Sequence, residues 1–216
     1  MTMPGRPFGY SFNAYNEMIG AGKLTVIPAT YFSLTPSFEA SAEFVIGYGI
    51  TPAFDLFADI VTFTYAPELR CSQVWIMPRF DLGWNNIAAL QIMFENEVPG
   101  FSVSIAPQYH FFYENDIVFI EFNAIVTVPV SAPADTVVEA IVAPGWKVSK
   151  NALHLFLELD PSYTFGSRFE VTLLPGMCIC FARNTHQICV GIPFSDITSG
   201  TLNMGVSIWY AGTFRL

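Results

Sequence analysis

The chain has 216 residues, enough for one sizeable domain, and no linker-like stretch or change in composition divides it. Hydrophobic residues make up 52% of the chain and charged residues only 12%, with 18 acidic against 9 basic side chains. This acidic balance excludes a role in binding nucleic acid, because phosphate groups require a basic surface. The longest uncharged stretches alternate in polarity, so they lack the continuous apolar character of a membrane-spanning helix.

Apolar and polar residues alternate in many short stretches, which is the period of two that is typical of a β-strand. From Val118 to Val130 every second residue is apolar, and Glu121, Asn123 and Thr127 lie on the other face. The same alternation recurs in 153–160 and 202–213. A soluble β-protein would hide its apolar face, but this chain carries too many apolar residues for that arrangement. The pattern favours a barrel whose apolar face contacts lipid.

Short segments between the alternating stretches match the tight turns of β-hairpins, because residues paired across a turn must face the same side of the sheet. These predicted turns are Thr51-Pro52-Ala53, Trp84-Asn85-Asn86, Asn115-Asp116, Lys150-Asn151 and Asn184-Thr185. The cross-strand pairs that define the last three are Tyr113 with Val118, Val148 with Leu153 and Phe181 with Ile188. The turns recur at roughly the spacing that pairs of membrane-crossing strands require.

Together with the connections at the other rim, these turns predict about twelve strands with short loops at both rims. The strands are predicted at 23–34, 38–50, 54–65, 71–82, 87–96, 100–114, 117–130, 136–149, 152–162, 168–183, 186–194 and 201–214. The predicted fold is therefore all-β, a transmembrane antiparallel up-and-down β-barrel formed by residues 23–216. Residues 1–22 are predicted to be an N-terminal segment that lies in the periplasm, is tucked into the lumen or adds a strand.

Prolines recur inside the predicted strands, although proline cannot donate a hydrogen bond to a neighbouring strand. They are Pro28, Pro78, Pro107, Pro144 and Pro175. We expect each one to lie at a β-bulge or a weakly paired point, unless these strands are shorter than predicted.

Outward-facing aromatic residues fall into two groups, one near each rim, as in the aromatic girdles of membrane barrels. Near the tight turns they are Tyr48, Phe54, Tyr113, Trp146 and Phe181. Near the other rim they are Phe94, Phe101, Tyr163, Phe165, Phe169 and Phe194.

The segment Ile46-Gly47-Tyr48-Gly49-Ile50-Thr51-Pro52-Ala53-Phe54-Asp55-Leu56 resembles a strand–turn–strand phrase common in bacterial outer-membrane β-barrel proteins. Residues 206–216 resemble the aromatic-rich final strand that such proteins present to the barrel-assembly machinery, although the chain ends in Leu216 and Phe214 comes two residues earlier. The resemblance implies a place in the bacterial outer membrane, with its lipid and the assembly machinery as partners. The first residues show no export signal, so we expect the printed chain to be a mature form or to have an incomplete start.

Inward-facing positions carry more acidic than basic side chains. The residues predicted to line the lumen are Glu39, Glu43, Asp59, Arg79, Asp81, Glu95, His110, Glu121, Glu139, Lys147, His154, Glu158 and Glu170. Carboxylates in a narrow wet passage concentrate cations, so the first hypothesis is a small, cation-preferring, porin-like diffusion channel.

Two other functions remain open at this point. Large side chains predicted to face the lumen, namely Phe57, Phe63, Trp75 and Met77, favour a non-conducting structural barrel in an envelope protein assembly. A soluble lipocalin-like binding protein is the third alternative. The apolar outer wall fits contact with lipid, with other envelope proteins or with copies of the chain in a homo-oligomer.

Neither catalysis nor a cofactor or metal site is predicted. His110 and His154 point inward, where a hydrogen-bonded histidine is more common than a catalytic one, and the serines on the strand of His110 are too far along it to touch. The cysteines lack the spacing of a structural zinc site. The predicted hairpin places Cys180 opposite Cys189, which favours a disulfide between them, the alternative being a reduced pair.

Overall fold

The computed structural model describes residues 17–35, 38–65, 68–97, 100–149, 152–181, 185–200 and 202–216. The strands are β1 (Lys23–Ser33), β2 (Glu39–Thr51), β3 (Phe54–Tyr65), β4 (Leu69–Gly83), β5 (Asn86–Glu97), β6 (Gly100–Glu114), β7 (Val118–Pro129), β8 (Val137–Ser149), β9 (Leu153–Thr164), β10 (Phe169–Phe181), β11 (His186–Gly191), β12 (Phe194–Ser195) and β13 (Asn203–Arg215). Two short 3₁₀-helices span Pro133–Asp135 and Ile197–Ser199. Within these ranges, no helix is long and apolar enough to cross a bilayer.

The strands form one antiparallel sheet that closes on itself. Consecutive strands are neighbours, and β1 pairs with β13 from Lys23 opposite Arg215 to Ser33 opposite Gly205. Because β11 and β12 both lie between β10 and β13, they are two parts of one barrel strand that is interrupted at Ile192–Pro193. The predicted fold, a closed up-and-down barrel of 12 strands, is confirmed.

The apolar face of the alternating strands is on the outside. In β7, Ile120 and Val126 are exposed on the outer wall, whereas Phe119 and Glu121 on either side of Ile120 are buried inside. Large exposed apolar side chains occur in the same way on strands around the barrel. Since an apolar exterior of this extent is stable in lipid and not in water, the barrel has the polarity of a membrane protein.

Aromatic residues mark both ends of this apolar wall. We call the end with the Pro52–Ala53 and Trp84–Asn85 turns the turn rim, and the end with the two 3₁₀-helices the opposite rim. Phe54 and Phe80 pack near the turn rim with ring centroids 4.8 Å apart. Phe94 and Phe101 do so near the opposite rim, at 6.0 Å. The arrangement agrees with two aromatic girdles.

The strand prolines all lie at gaps in the pairing. Pro107, for example, is paired with Leu90 of β5, while on its other side the pairing of β6 with β7 is interrupted between Ile105 and Gln108. The register is the same before and after the gap, so these are weakly paired points and not bulges. The same holds for Pro28, Pro78, Pro144 and Pro175. Each proline, which has no backbone N–H to donate, thus lies where the pairing with one neighbouring strand is interrupted.

The predicted turns are confirmed at Pro52–Ala53 and at Trp84–Asn85. Trp84 and Asn85 both have positive φ, 56° and 61°, as a type I′ hairpin requires. In the third turn the predicted register is wrong by two residues, because Tyr113 lies opposite Ile120. The Asn115 side chain accepts hydrogen bonds from the amides of residues 117 and 118, both at 2.8 Å, and so moves the turn one residue along the chain.

The remaining two predicted turns fall partly outside the described residues. The predicted register of β8 with β9 is confirmed where Lys147 lies opposite His154, and it shifts by one residue at Ser149, next to the turn. In β10 and β11 the predicted register is wrong, since Phe181 lies opposite His186. A shift of two residues in pairing leaves every side chain on its predicted face.

A β-bulge in β3 changes one predicted lumenal position. Val45 of β2 pairs with Asp59, but the preceding Phe44 pairs with Val61, so Ile60 is an extra residue. The Asp59 carboxylate stabilises the bulge by accepting hydrogen bonds from the Val61 amide at 3.0 Å and the Thr62 hydroxyl at 2.6 Å. Phe63, predicted to face the lumen, therefore faces outward and is exposed.

The predicted N-terminal segment 1–22 lies outside the described residues up to residue 16. Residues 17–22 precede β1 and contact the inner wall of the barrel at the turn rim, where the Gly22 amide donates a hydrogen bond to the Gly49 carbonyl at 2.8 Å.

A lipid-facing charge should destabilise the barrel according to its depth. Leu159 is exposed on the outer wall near the middle of β9. The substitution Leu159→Lys should lower the unfolding free energy of the barrel by about 2–4 kcal/mol, because an ammonium group would enter the bilayer core. Val148→Lys, at the turn rim, should cost about 1 kcal/mol or less. Urea unfolding in lipid vesicles measures the unfolding free energy of both variants. Equally small losses for Leu159→Lys and Val148→Lys would contradict an outer wall that contacts lipid.

Candidate functional site in the lumen

Side chains fill the interior of the barrel in two clusters. The first lumenal cluster consists of Ile19, Ile27, Val45, Phe57, Trp75, Met77, Ala89, Met93, Ala106, Ile125, Ile141 and Ala211. The second lumenal cluster consists of Phe112, Phe119, Phe156, Leu174, Cys178, Cys180, Cys189 and Trp209. All of these residues are buried, so the described conformation has tightly packed lumenal walls.

Three lumenal phenylalanines lie directly opposite glycines on the next strand. The cross-strand pairs are Phe57 with Gly47, Phe119 with Gly145 and Phe156 with Gly176. A Cβ atom at Gly145 would lie 1.8 Å from the Phe119 Cζ, and one at Gly176 would lie 2.2 Å from the Phe156 Cζ. Each ring therefore lies flat across the wall over its glycine, an arrangement used in β-sheets to cover exposed glycine backbone.

The carboxylate of Asp55 and the guanidinium of Arg79 form a fully buried ion pair near the turn rim. They face each other across β3 and β4, and Arg79 donates from Nε to Oδ1 and from Nη2 to Oδ2, both at 2.7 Å. The guanidinium carbon also lies 4.3 Å from the centre of the Phe57 ring. Burial of both charges is compensated by this bidentate geometry and by the cation–π contact.

Most residues predicted to line the lumen are found on the inner wall. Those that are buried there are Glu43, Asp59, Arg79, His110, Glu121, Glu139, His154 and Glu158. Glu95, Lys147 and Glu170 are partly buried, and Glu39 and Asp81 are exposed at the rims. Their inward position is a matter of geometry, whereas their role as pore-lining residues stays a prediction.

Several polar groups of the inner wall are linked across strands. Gln108 donates to the Gln91 side-chain oxygen at 2.7 Å, and Ser102 and Ser104 both donate to Glu95 at 3.4 Å. Lys147 pairs with Glu114 at 2.8 Å at the turn rim. The lumen therefore combines apolar clusters with hydrogen-bonded polar side chains, as buried polar groups require.

Exposure of the inner wall differs between the two ends of the barrel. Towards the turn rim, inward residues such as Phe119, Gly145 and His154 are buried. Towards the opposite rim, Ser162 and Glu170 are only partly buried, and Glu170 pairs there with Arg168 at 2.6 Å. Of these described side chains, those at the opposite rim are the more accessible to solvent.

The disulfide of the chain joins Cys178 and Cys189, so the predicted pairing of Cys180 with Cys189 is wrong. The reason is the two-residue shift in the register of β10 and β11, which puts Cys178 opposite Cys189 and Cys180 opposite Gln187. Cys180 is a buried free thiol whose Sγ lies 3.6 Å from His154 Nδ1. Sequence alternation could not separate the two pairings, because both cysteines of β10 face inward.

Comparison with known proteins gives matches in structure and none in sequence. No protein-family model matches the chain, and no curated protein matches it. A KdgM porin superposes with a TM-score of 0.59 at 6% identity, covering 88% of this chain and 99% of the porin. This chain has the fold of an outer-membrane β-barrel. The translocator domain of the autotransporter NalP from Neisseria meningitidis has a TM-score of 0.52 at 9% identity, covering 90% and 89%.

A further similar structure is described as a bacterial polysaccharide outer membrane secretin. Its TM-score is 0.51 at 7% identity, and the match covers 89% of this chain and 98% of that one. At such low identities the similarity establishes the barrel fold but not the activity, which depends on the residues of the lumen.

Substitution of a lumenal glycine should destabilise the barrel through its phenylalanine partner. Gly145→Ala is expected to cost about 1–3 kcal/mol of unfolding free energy, because the new methyl group overlaps the Phe119 ring. In a Phe119→Ala background the same substitution should cost much less, since the ring is absent. Urea unfolding of the four proteins in micelles gives the coupling energy, and equal costs in both backgrounds would refute the ring-over-glycine packing.

Proposed function

We propose that the protein resides in a bacterial outer membrane and acts there as a small, porin-like channel that prefers cations. The observation that carries the proposal is the charge of the inner wall. Among the described residues, the buried carboxyl groups of Glu43, Asp55, Asp59, Glu121, Glu139 and Glu158 face one buried guanidinium, that of Arg79. An acidic interior with low-dielectric walls attracts cations and repels anions.

The route of the ion follows from the accessibility of the lumen. A cation would enter from the opposite rim, where Glu170 and Ser162 are partly buried next to Glu139, and meet Glu158 further inside. Beyond them the lumenal clusters leave little room, so the described conformation corresponds to a closed state. Conduction then requires that side chains or residues 17–22 move away from the turn rim.

The similarity to a KdgM porin supports the proposal at the level of the fold, since a barrel of this kind serves as a pore in that protein. The same proposal assigns no catalytic activity and no cofactor to the chain. Its partners would be outer-membrane lipid, the barrel-assembly machinery during insertion and, where the apolar wall contacts protein, other envelope proteins or copies of the chain.

One observation favours a second candidate, a non-conducting structural barrel. Two apolar clusters and three ring-over-glycine pairs fill the interior, and side-chain packing of this kind is typical of barrels without a water channel. Such a barrel would use its wall or rims to contact neighbours in the envelope.

Conductance in a planar bilayer separates the two candidates. Purified, refolded protein in asymmetric KCl is expected to give stable conductance steps, with a reversal potential shifted towards the equilibrium potential of K⁺. Glu158→Gln together with Glu139→Gln should lower the K⁺/Cl⁻ permeability ratio by roughly twofold or more, because two lumenal carboxylates are lost.

Glu68→Gln is the matched control, because Glu68 is an exposed carboxylate near the opposite rim with a side chain 76% accessible. It should leave the permeability ratio close to that of the wild type. Folded protein that inserts but never conducts would overturn the channel and leave the structural barrel; anion preference would overturn the role of the carboxylates.

A further inference from the structure

The inner face of β2 has two glycines near the turn rim, Gly47 and Gly49. A Cβ atom at Gly49 would lie 1.9 Å from the carbonyl oxygen of Gly20. One at Gly47 would lie 2.6 Å from the Cδ1 atom of Ile19. Any other residue at position 49 would overlap the main chain before β1, so the missing side chains create a seat on the wall for residues 19 and 20.

The buried ion pair beside this seat binds the same segment through its main chain. Asp55 Oδ2 accepts a hydrogen bond from the Ile19 amide at 2.9 Å, and Arg79 Nη2 donates one to the Glu17 carbonyl at 2.7 Å. The Gly22 amide adds a third main-chain contact, to the Gly49 carbonyl at 2.8 Å. Hydrogen bonds to charged groups are stronger than those between neutral groups. The Asp55–Arg79 pair therefore holds the segment in position, in addition to balancing its own two charges.

One side chain anchors the segment in the apolar interior. Ile19 is 6% exposed and belongs to the first lumenal cluster, next to Phe57. Ala21, two residues later, is exposed. The segment thus combines a buried apolar anchor with main-chain hydrogen bonds, two features that are also common when a protein binds an extended peptide.

We propose that Gly47, Gly49, Asp55 and Arg79 form an intramolecular peptide-binding site, and that residues 17–20 occupy it as a latch that closes the turn-rim end of the lumen. The closing role rests on the proposed channel function. Release of the latch removes Ile19 from the first lumenal cluster and frees the mouth of the barrel, so bound and released forms correspond to lower and higher conductance.

Two single substitutions in the full chain release the latch by different means. Gly49→Ala puts a methyl group where the Gly20 carbonyl lies, without a change in charge. Ile19→Asp removes the apolar anchor and places a second carboxylate beside Asp55. Ala21→Asp is the matched control for the added charge, because that side chain is exposed and makes none of these contacts.

Hydrogen exchange of the amides of residues 17–22 reports on binding, and bilayer conductance reports on closure. In Gly49→Ala we expect amide protection to fall by roughly tenfold or more, because a charge-assisted hydrogen bond is lost. Both release variants should conduct more than the wild type, and Ala21→Asp should match the wild type in exchange and in conductance.

The outcomes separate this proposal from the channel function. Fast exchange at residue 19 in the wild type would overturn the binding site. If the wild type conducts and the Gly49→Ala and Ile19→Asp variants have the same conductance as the wild type, the latch is overturned and the channel function stands. If all variants are silent although exchange is accelerated, the channel function fails and the closing role fails with it.

Discussion

Closure of the sheet between β1 and β13 is the constraint on which the rest of the structure depends. In the hydrocarbon of a bilayer there is no water to satisfy an open sheet edge, and each unpaired backbone group would cost several kcal/mol. The pairing runs along nearly the whole of β1, from Lys23 to Ser33. Even the exceptions follow the constraint, because prolines, which lack the donor, lie where pairing on one side is already interrupted.

Closure also decides what the interior must do. Once the apolar faces of the strands point to lipid, the inner wall receives the polar half of the alternation, together with the few large side chains that fill the space. The lumenal phenylalanines lie flat over glycines, and Arg79 forms an ion pair with Asp55 on the neighbouring strand. The same packing that stabilises the barrel also narrows any passage through it, which is why a channel of this architecture needs a movable element.

Alternation in the sequence was sufficient to predict the strands, their number and the face of nearly every residue. It was insufficient for register, because pairings that differ by two residues put the same side chains inside. The errors at Tyr113 and at Cys180 are both of this kind, and the correct turn at Asn115 depends on side-chain hydrogen bonds that a parity argument does not include. Phe63 was misplaced for another reason, a bulge stabilised by Asp59 and Thr62.

The candidate site was predictable in composition and not in its contacts. The inward position of acidic residues such as Glu121 and Glu158 follows from alternation. The pairing of Asp55 with Arg79 requires the register of β3 with β4, and none of the tight turns predicted from the sequence lies between these two strands. The seat for residues 19 and 20 depends on Gly47 and Gly49. Glycine on an inward strand position opposite phenylalanine is a signal that sequence reading could have used.

The central claim, a closed barrel whose apolar outer wall contacts lipid, is tested most directly by spin-label accessibility along β7. Single labels from residue 119 to residue 126, in protein reconstituted into lipid vesicles, would be exposed in turn to oxygen, which partitions into lipid, and to a water-soluble nickel chelate. We expect a period of two, with high oxygen accessibility at Ile120, Phe122, Ala124 and Val126 and low values at Phe119, Glu121, Asn123 and Ile125. High access of the nickel chelate to the first set would contradict it.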